Sequence, residues 1–212
     1  MKAYFFDLDG TLVDTEVIWC GAVGKYLNDR GCRVTYNESV ALVYGRSWND
    51  VYRGIKRRFP DLPDGMNAMQ LALENNFYEV RTQADVRIPG SVELLKRLSA
   101  QGKSCCVVSG SPRDMINDAL RIMRCTQDIE FYIGSEDYTH GKPAPDCFLL
   151  AAHKLKVPPA ECVVFEDSEA GVRAGKAAGM YVVALNRPNR PKQNLSPADL
   201  ILENLSDFQE DE

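Results

Sequence analysis

Five short apolar runs punctuate the chain, and the first three break off abruptly into polar residues. "YFF" (4–6) runs into Asp7 and Asp9, "KSCCVV" (103–108) into Ser109-Gly110-Ser111, and "CVVF" (162–165) into Glu166-Asp167-Ser168. "MYVVAL" (180–185) and "ADLIL" (198–202) follow. The stretches between have helical periodicity. Ser91–Gln101 places Val92, Leu95 and Leu98 on one face and is stopped by Gly102. Pro112–Met123 begins with proline at its first position after Ser111, a good N-cap residue. Continuous apolar strands alternating with helices predict a parallel sheet covered on both faces. Loops that carry function in such sheets gather at the carboxyl ends of the strands. Asp7, Ser109 and Glu166 all fall there.

Residues 15–86 have a different texture. "TEVIWCGAVGKYLNDRG" (15–31) reads as a helix ended by Gly31, with further helical segments near 37–44, 47–58 and 65–84 and no convincing β run. An all-helical segment between the first strand and the rest of the sheet is expected to be an inserted cap. "VRIPGS" (86–91) supplies the hinge on the return. The predicted organisation is an α/β, Rossmann-like core over 1–14 and 87–212, with a helical cap over 15–86. No internal repeat or low-complexity segment interrupts it.

Composition narrows the function classes. The chain has 212 residues, 45% hydrophobic and 26% charged, with a formal net charge of −5. That is enough for one substantial core with an inserted subdomain. An acidic balance argues against a nucleic-acid or anionic-membrane surface. No run approaches the roughly 18 apolar residues of a membrane span, and the first residues lack a signal-peptide pattern. The seven cysteines are odd in number and form no CxxC pair; Cys105, Cys106 and Cys162 sit in apolar runs, so packing in a reduced cytoplasm is the expectation. The acidic stretch from Asp207 to Glu212 is expected to be a solvated tail.

Candidate chemistry begins with Asp7 and Asp9. At i and i+2 of an extended segment two side chains point the same way, so the two carboxylates should converge. Mutual repulsion suggests a cation or a shared proton, and hard oxygen ligands suit Mg²⁺; a plain surface turn is the alternative. "HGKPAPD" (140–146) puts Lys142 in a loop before a proline-started helix, either as a site cation or as a solvated charge. Ser109 and Ser111 present hydroxyls at a strand tip ahead of a helix N-terminus that favours phosphate, or else are loop and N-cap residues. Glu166 and Asp167 are site acids or caps of the following helix. Each signal is weak alone, but they coincide at corresponding tips of one sheet.

"FFDLDGTLVDTE", "VVSGS", "GKPAPD" and "VVFEDSEAGVRAGKAAGM" resemble, in order and spacing, the four motifs of the haloacid dehalogenase-like hydrolase superfamily. The helical insertion is similar to that of the subgroup containing β-phosphoglucomutase and small sugar-phosphate phosphatases. The resemblance implies Asp7 as a nucleophile forming an aspartyl-phosphate and Asp9 as general acid, then base. It implies Ser109 and Lys142 as holders of the phosphoryl oxygens. Mg²⁺ would be bound by Asp7, the Asp9 backbone carbonyl, Asp167 and Glu166, the last as ligand or orienting group. Substrate contacts extend by the same resemblance to Thr15, Gly45, Arg46, Gly110, Ser111 and Arg113. Arg46 and Arg113 are candidates for an anionic or hydroxyl-rich group or are surface residues; Trp19 and Trp48 either line a pocket or pack the cap.

The chain departs from the mutase pattern in three places: Trp19 stands where the mutase has histidine, Gly45-Arg46-Ser47-Trp48 where it has Gly-x-Ser-Arg, and Pro112-Arg113 where it has Lys-Asn. The expected activity is therefore Mg²⁺-dependent hydrolysis of a small phosphate monoester, a sugar phosphate, by a monomer or weak dimer whose cap closes over the substrate. A phosphosugar mutase is the alternative, and a non-catalytic phosphosugar-binding regulator the alternative outside enzymes. A dehalogenase would not need Asp9. A phospho-accepting receiver domain lacks the Asp-x-Asp-Gly-Thr tip and the insertion, and neither His140 nor His153 flanks a serine or cysteine nucleophile.

Overall fold

The computed structural model describes residues 1–43, 46, 48–83, 85–188, 190 and 192–210. The chain divides into two compact units, Met1–Val13 with Arg87–Glu212, and Asp14–Val86. The first is built on a six-stranded sheet: β1 (Ala3–Phe6), β2 (Ser104–Val108), β3 (Phe131–Ile133), β4 (Cys162–Glu166), β5 (Tyr181–Leu185) and β6 (Leu200–Leu202), in the order β3-β2-β1-β4-β5-β6. Every neighbouring pair is parallel. The winding direction reverses at β1, so the tips of β1, β2 and β4 flank the crevice where such sheets bind ligands. Phe6 is in register with Val107 on one side and Phe165 on the other, which brings Asp7, Val108 and Glu166 to one level.

The aromatic run in β1 is core on both faces. Phe5 packs with Cys106, Val108, Phe148 and Val164, while Phe6 stacks on Phe165 with ring centroids 4.6 Å apart. Burial of both faces explains why β1, β2 and β4 read as unbroken apolar runs rather than as alternations. The helices of this unit are α5 (Pro89–Ala100), α6 (Arg113–Met123), α7 (Asp146–Leu155) and α8 (Glu169–Ala177). All seven cysteines are free thiols, and all but Cys32 are buried.

Three features depart from expectation. The three-residue β3 is too short to register as a strand by composition, and pairing with β2 forms it, from Cys106↔Phe131 to Val108↔Ile133. Ser111 does not cap α6. That helix starts at Arg113 after Pro112, and the Glu136 carboxylate accepts the Arg113 N–H at 3.1 and 3.2 Å. Within the acidic terminus, Phe208 and Glu210 are tied down rather than solvated. Phe208 is buried edge-on against Phe165, centroids 5.1 Å apart. Arg97 donates to the carbonyls of Ser206 (3.1 Å) and Phe208 (2.5 Å). Glu210 accepts from Lys103 at 2.8 Å, from the Met1 amine at 2.7 Å and from the Tyr4 hydroxyl.

The regular structure of the second unit, among its described residues, is all helical: α1 (Thr15–Asp29), α2 (Tyr36–Val43), α3 (Trp48–Arg58) and α4 (Met66–Gln83). Its own core joins Val23, Tyr26, Leu27, Ile55, Met69 and Leu73. Asp14 caps α1, accepting the Val17 N–H at 3.4 Å. No helix among the described residues is long and apolar enough to cross a membrane.

The terminal anchor has a pH signature. Burial alone would raise the Glu210 pKa, but hydrogen bonds from Lys103, the N-terminal amine and Tyr4 outweigh it and hold the group at about 2 instead of 4.5. A depressed folded-state pKa gives stability that is present above the unfolded value and lost as pH falls through the folded one. Glu210→Gln is therefore expected to be less stable than wild type at pH 7, with the gap closing as pH falls from 4.5 toward about 2. Urea midpoints at a series of pH values check this, and a gap that does not change with pH would show that charge is not its source.

Candidate active site

The centre of the site is the Lys142 ammonium, which lies in the loop before α7 and donates to Asp7 Oδ1 at 2.6 Å, Glu166 Oε1 at 2.7 Å and the Val108 carbonyl at 3.1 Å. An ammonium has three protons, and here three acceptors take them. Burial works against the charged form of Lys142, yet the charges of Asp7 and Glu166 prevail and raise its pKa. Glu166, at the end of β4, is saturated as an acceptor. Its Oε2 takes the N–H groups of Asp167 and Ser168, each at 3.0 Å, and the Ser168 hydroxyl at 2.9 Å. The same hydroxyl caps α8 by accepting the Gly171 N–H at 3.0 Å.

Asp7, Glu166 and Asp167 each offer a carboxylate oxygen within 4.8 Å of the others. Crowding and burial perturb them. Burial pushes the Asp7 pKa well up; Lys142 pulls it back, while Glu166, Asp167 and Asp9 add to the rise. Asp167 is pushed to about 7, by burial first and by the Glu166 charge second, against a hydrogen bond from Thr11 and the charges of Arg187 and Lys142. Buried hard oxygen donors destabilised by their own repulsion fit a small divalent cation such as Mg²⁺. The Thr11 hydroxyl fixes Asp167 from the β1 side at 3.2 Å.

Asp9 is placed differently from expectation. Its carboxylate does not join the three-carboxylate group but turns to the loop after β2, where it accepts from Ser111 Oγ at 2.5 Å and Ser109 Oγ at 3.3 Å. The i, i+2 argument fails because β1 ends at Phe6 and Asp9 already lies in the turn that follows. That turn depends on Gly10. Its φ is +85°, and a Cβ there would sit 2.1 Å from Asp167 Oδ2.

The other expected residues fall as follows. Gly110 is exposed between Ser109 and Ser111. Arg113 is engaged elsewhere: its guanidinium pairs with Asp137 at 2.7 Å and stands 5.4 Å from the Tyr132 ring centroid, so the α6–β3 side claims it rather than an anion. Thr15 and Arg46 line a cavity of about 440 Å³ inside the helical unit, together with Glu16, Trp19, Trp48 and Glu74. Trp19 also packs on Phe77 at 4.5 Å, so both readings of that residue hold. Gly45 lies outside the described residues. Tyr138, whose hydroxyl donates to the Ser109 carbonyl at 3.1 Å, and Ser168 escaped sequence reasoning, because neither carries a spacing signal.

A family model for haloacid dehalogenase-like hydrolase matches residues 1–179. A bifunctional riboflavin kinase/FMN phosphatase from Arabidopsis thaliana is 33% identical over 95% of this chain, which spans only 53% of that relative's length. A validoxylamine A 7'-phosphate phosphatase from Streptomyces hygroscopicus subsp. limoneus is 31% identical, over 97% of this chain and 95% of its own. Among solved structures, an HAD family hydrolase from Deinococcus radiodurans R1 with bound phosphate and sodium superposes with a TM-score of 0.76 at 30% identity, over 95% of this chain and 90% of that one.

The close approach at Gly10 yields a direct test. Gly10→Ala should cost about 1–3 kcal/mol of stability from backbone strain and should also push Asp167 out of the acidic cluster. Denaturant unfolding together with the midpoint of metal-dependent protection reads both effects. A variant with wild-type stability and an unchanged metal midpoint would show that the turn tolerates a side chain.

Proposed function

The chain belongs to the haloacid dehalogenase-like hydrolases, and we propose that it hydrolyses a small phosphate monoester by transient phosphorylation of Asp7, with Mg²⁺ as cofactor. The observation that carries this reading is the buried Lys142 bridging Asp7 and Glu166 at 2.6 and 2.7 Å beside Asp167. A carboxylate fixed by a buried cation at a strand tip is a positioned nucleophile, and phosphoryl transfer asks chiefly for positioning and charge neutralisation.

In the first step an Asp7 oxygen attacks phosphorus while the ester P–O bond breaks, and Asp9 gives its proton to the leaving oxygen. In the second, Asp9 takes a proton from water, which attacks the aspartyl-phosphate; the P–O bond to Asp7 breaks and inorganic phosphate leaves. Ser109 offers its hydroxyl to a phosphoryl oxygen. Asp7, Asp167 and the Asp9 carbonyl would hold the magnesium ion, and Glu166, with its oxygens already engaged, acts as the anchor of Lys142 and of the β4–α8 turn. Bound magnesium would supply positive charge against the crowded carboxylates and the phosphoryl oxygens.

The organic part of the ester is proposed to be a sugar. The cavity of the helical unit combines two tryptophans with Glu16, Gln70, Glu74 and Arg46, a mixture of flat apolar walls and hydrogen-bonding groups that suits a polyol. Hydrolysis is preferred to phosphosugar transfer because Trp19 presents an indole packed on Phe77 where the mutase pattern has histidine.

Asp7→Asn should lower turnover of phosphate esters at least roughly 1000-fold while leaving the fold intact. Steady-state phosphate release beside circular dichroism measures this, and substantial activity in that variant would remove Asp7 as nucleophile. A chelator should silence the wild type, with Mg²⁺ restoring it. Asp167→Asn should raise the Mg²⁺ concentration for half-maximal activity by about tenfold or more, and by more than Glu166→Gln does. The reverse order would make Glu166 the principal ligand.

A further inference from the structure

Ser111 is not spent where its position in the sequence suggests. It does not cap α6, whose N-cap residue Pro112 makes no side-chain bond. Instead its hydroxyl makes the shorter of two bonds to one oxygen of Asp9, 2.5 Å against 3.3 Å from Ser109, while its backbone N–H donates to Ser109 Oγ at 3.0 Å. The loop that carries it is fixed on both sides: the Ser111 carbonyl accepts the Ser135 N–H at 3.1 Å, and the Ser109 carbonyl accepts the Tyr138 hydroxyl at 3.1 Å. Each serine hydroxyl has a single proton. While Ser109 gives its proton to Asp9, it has none for a phosphoryl oxygen.

We propose that Ser111 is the positioning residue for Asp9, holding its carboxylate in place when an arriving phosphoryl group takes over the Ser109 proton. The inference rests on the reading of Asp9 as the acid. The longer Ser109 bond is the weaker and is the one exchanged. Ser111 then remains on Oδ2, which leaves Oδ1 to carry the proton to the ester oxygen. The two serines, alike in sequence, thereby divide the work: Ser109 serves the substrate and Ser111 serves the acid.

The test compares phenyl phosphate, whose strongly basic leaving group needs a proton, with 2,4-dinitrophenyl phosphate, whose leaving group departs unaided. Ser111→Ala should lose about tenfold or more in kcat/KM on the first and less than about twofold on the second, with Ser111→Thr recovering most of the loss. The inhibition constant for inorganic phosphate should stay within about twofold of wild type, since a residue acting through Asp9 adds no uniform binding. Equal losses on both esters, or phosphate affinity weakened in step with kcat/KM, would make Ser111 a substrate contact and overturn the proposal. Asp9→Asn is the control. If it discriminates between the esters and Ser111→Ala does not, the positioning role alone falls; if it does not discriminate either, the acid role of Asp9 falls with it.

Discussion

A buried ammonium with every proton assigned governs the architecture of this site. Desolvating the Lys142 charge is costly unless charged and polar partners meet it with good geometry. Those partners come from the residue after β1 (Asp7), the last residue of β2 (Val108) and the last residue of β4 (Glu166). The ring of Phe148, 5.0 Å away, closes one side with an electron-rich face. Strand register and charge balance are therefore one constraint. A one-residue slip of β1 against β4 would take Asp7 off the level of Glu166, so that Lys142 could no longer bridge the two. The order β3-β2-β1-β4-β5-β6 is what puts the three tips side by side.

Close packing around the carboxylates adds a second constraint. Glu166 is 1% exposed, and a Cβ on Gly171 would fall 1.7 Å from its Oε1, so the first turn of α8 lies directly on the carboxylate. Ser168 joins the two by donating to Glu166 and capping the helix. A carboxylate this enclosed orients the groups around it. Asp167, the next residue, sits where Gly10 and Thr11 of the β1 turn reach it, and so belongs to both the first and the last polar strand tips.

Much of this was legible in the residues. The alternation of apolar runs with helices predicted the parallel sheet, because strands buried on both faces advertise themselves as continuous apolar segments. The four helices between 15 and 86 fall within one or two residues of their expected limits. What escaped depends on tertiary partners. The three residues of β3 become a strand only beside β2, and the acidic terminus is held because Tyr4, Arg97 and Lys103 wait for it elsewhere in the chain. Periodicity placed Asp9 on the same side as Asp7, but extended geometry stops at Phe6. Arg113 looked available for an anion because nothing local in the sequence shows that Asp137 claims it.

The donors in this site share a condition that shapes how an anion can enter. Lys142 has given its protons to Asp7, Glu166 and Val108, and the Ser109 and Ser111 hydroxyls have given theirs to Asp9. An arriving phosphoryl group therefore meets donors that are already engaged, beside an Asp167 carboxyl that burial first, and the Glu166 charge second, push to a pKa of about 7. Binding has to proceed by exchange, each new hydrogen bond replacing one made to a carboxylate. Exchange of like for like is nearly neutral, since an unsatisfied partner is what costs energy. The favourable part of phosphate binding must then come from what the carboxylates released by that exchange can do, which is to bind a cation or take up a proton. In the proposed mechanism Asp7 and Asp167 would do the first and Asp9 the second. On this account the same carboxylates that crowd the site would, in the proposed reaction, select for a ligand bringing both a phosphoryl charge and a leaving oxygen in need of a proton.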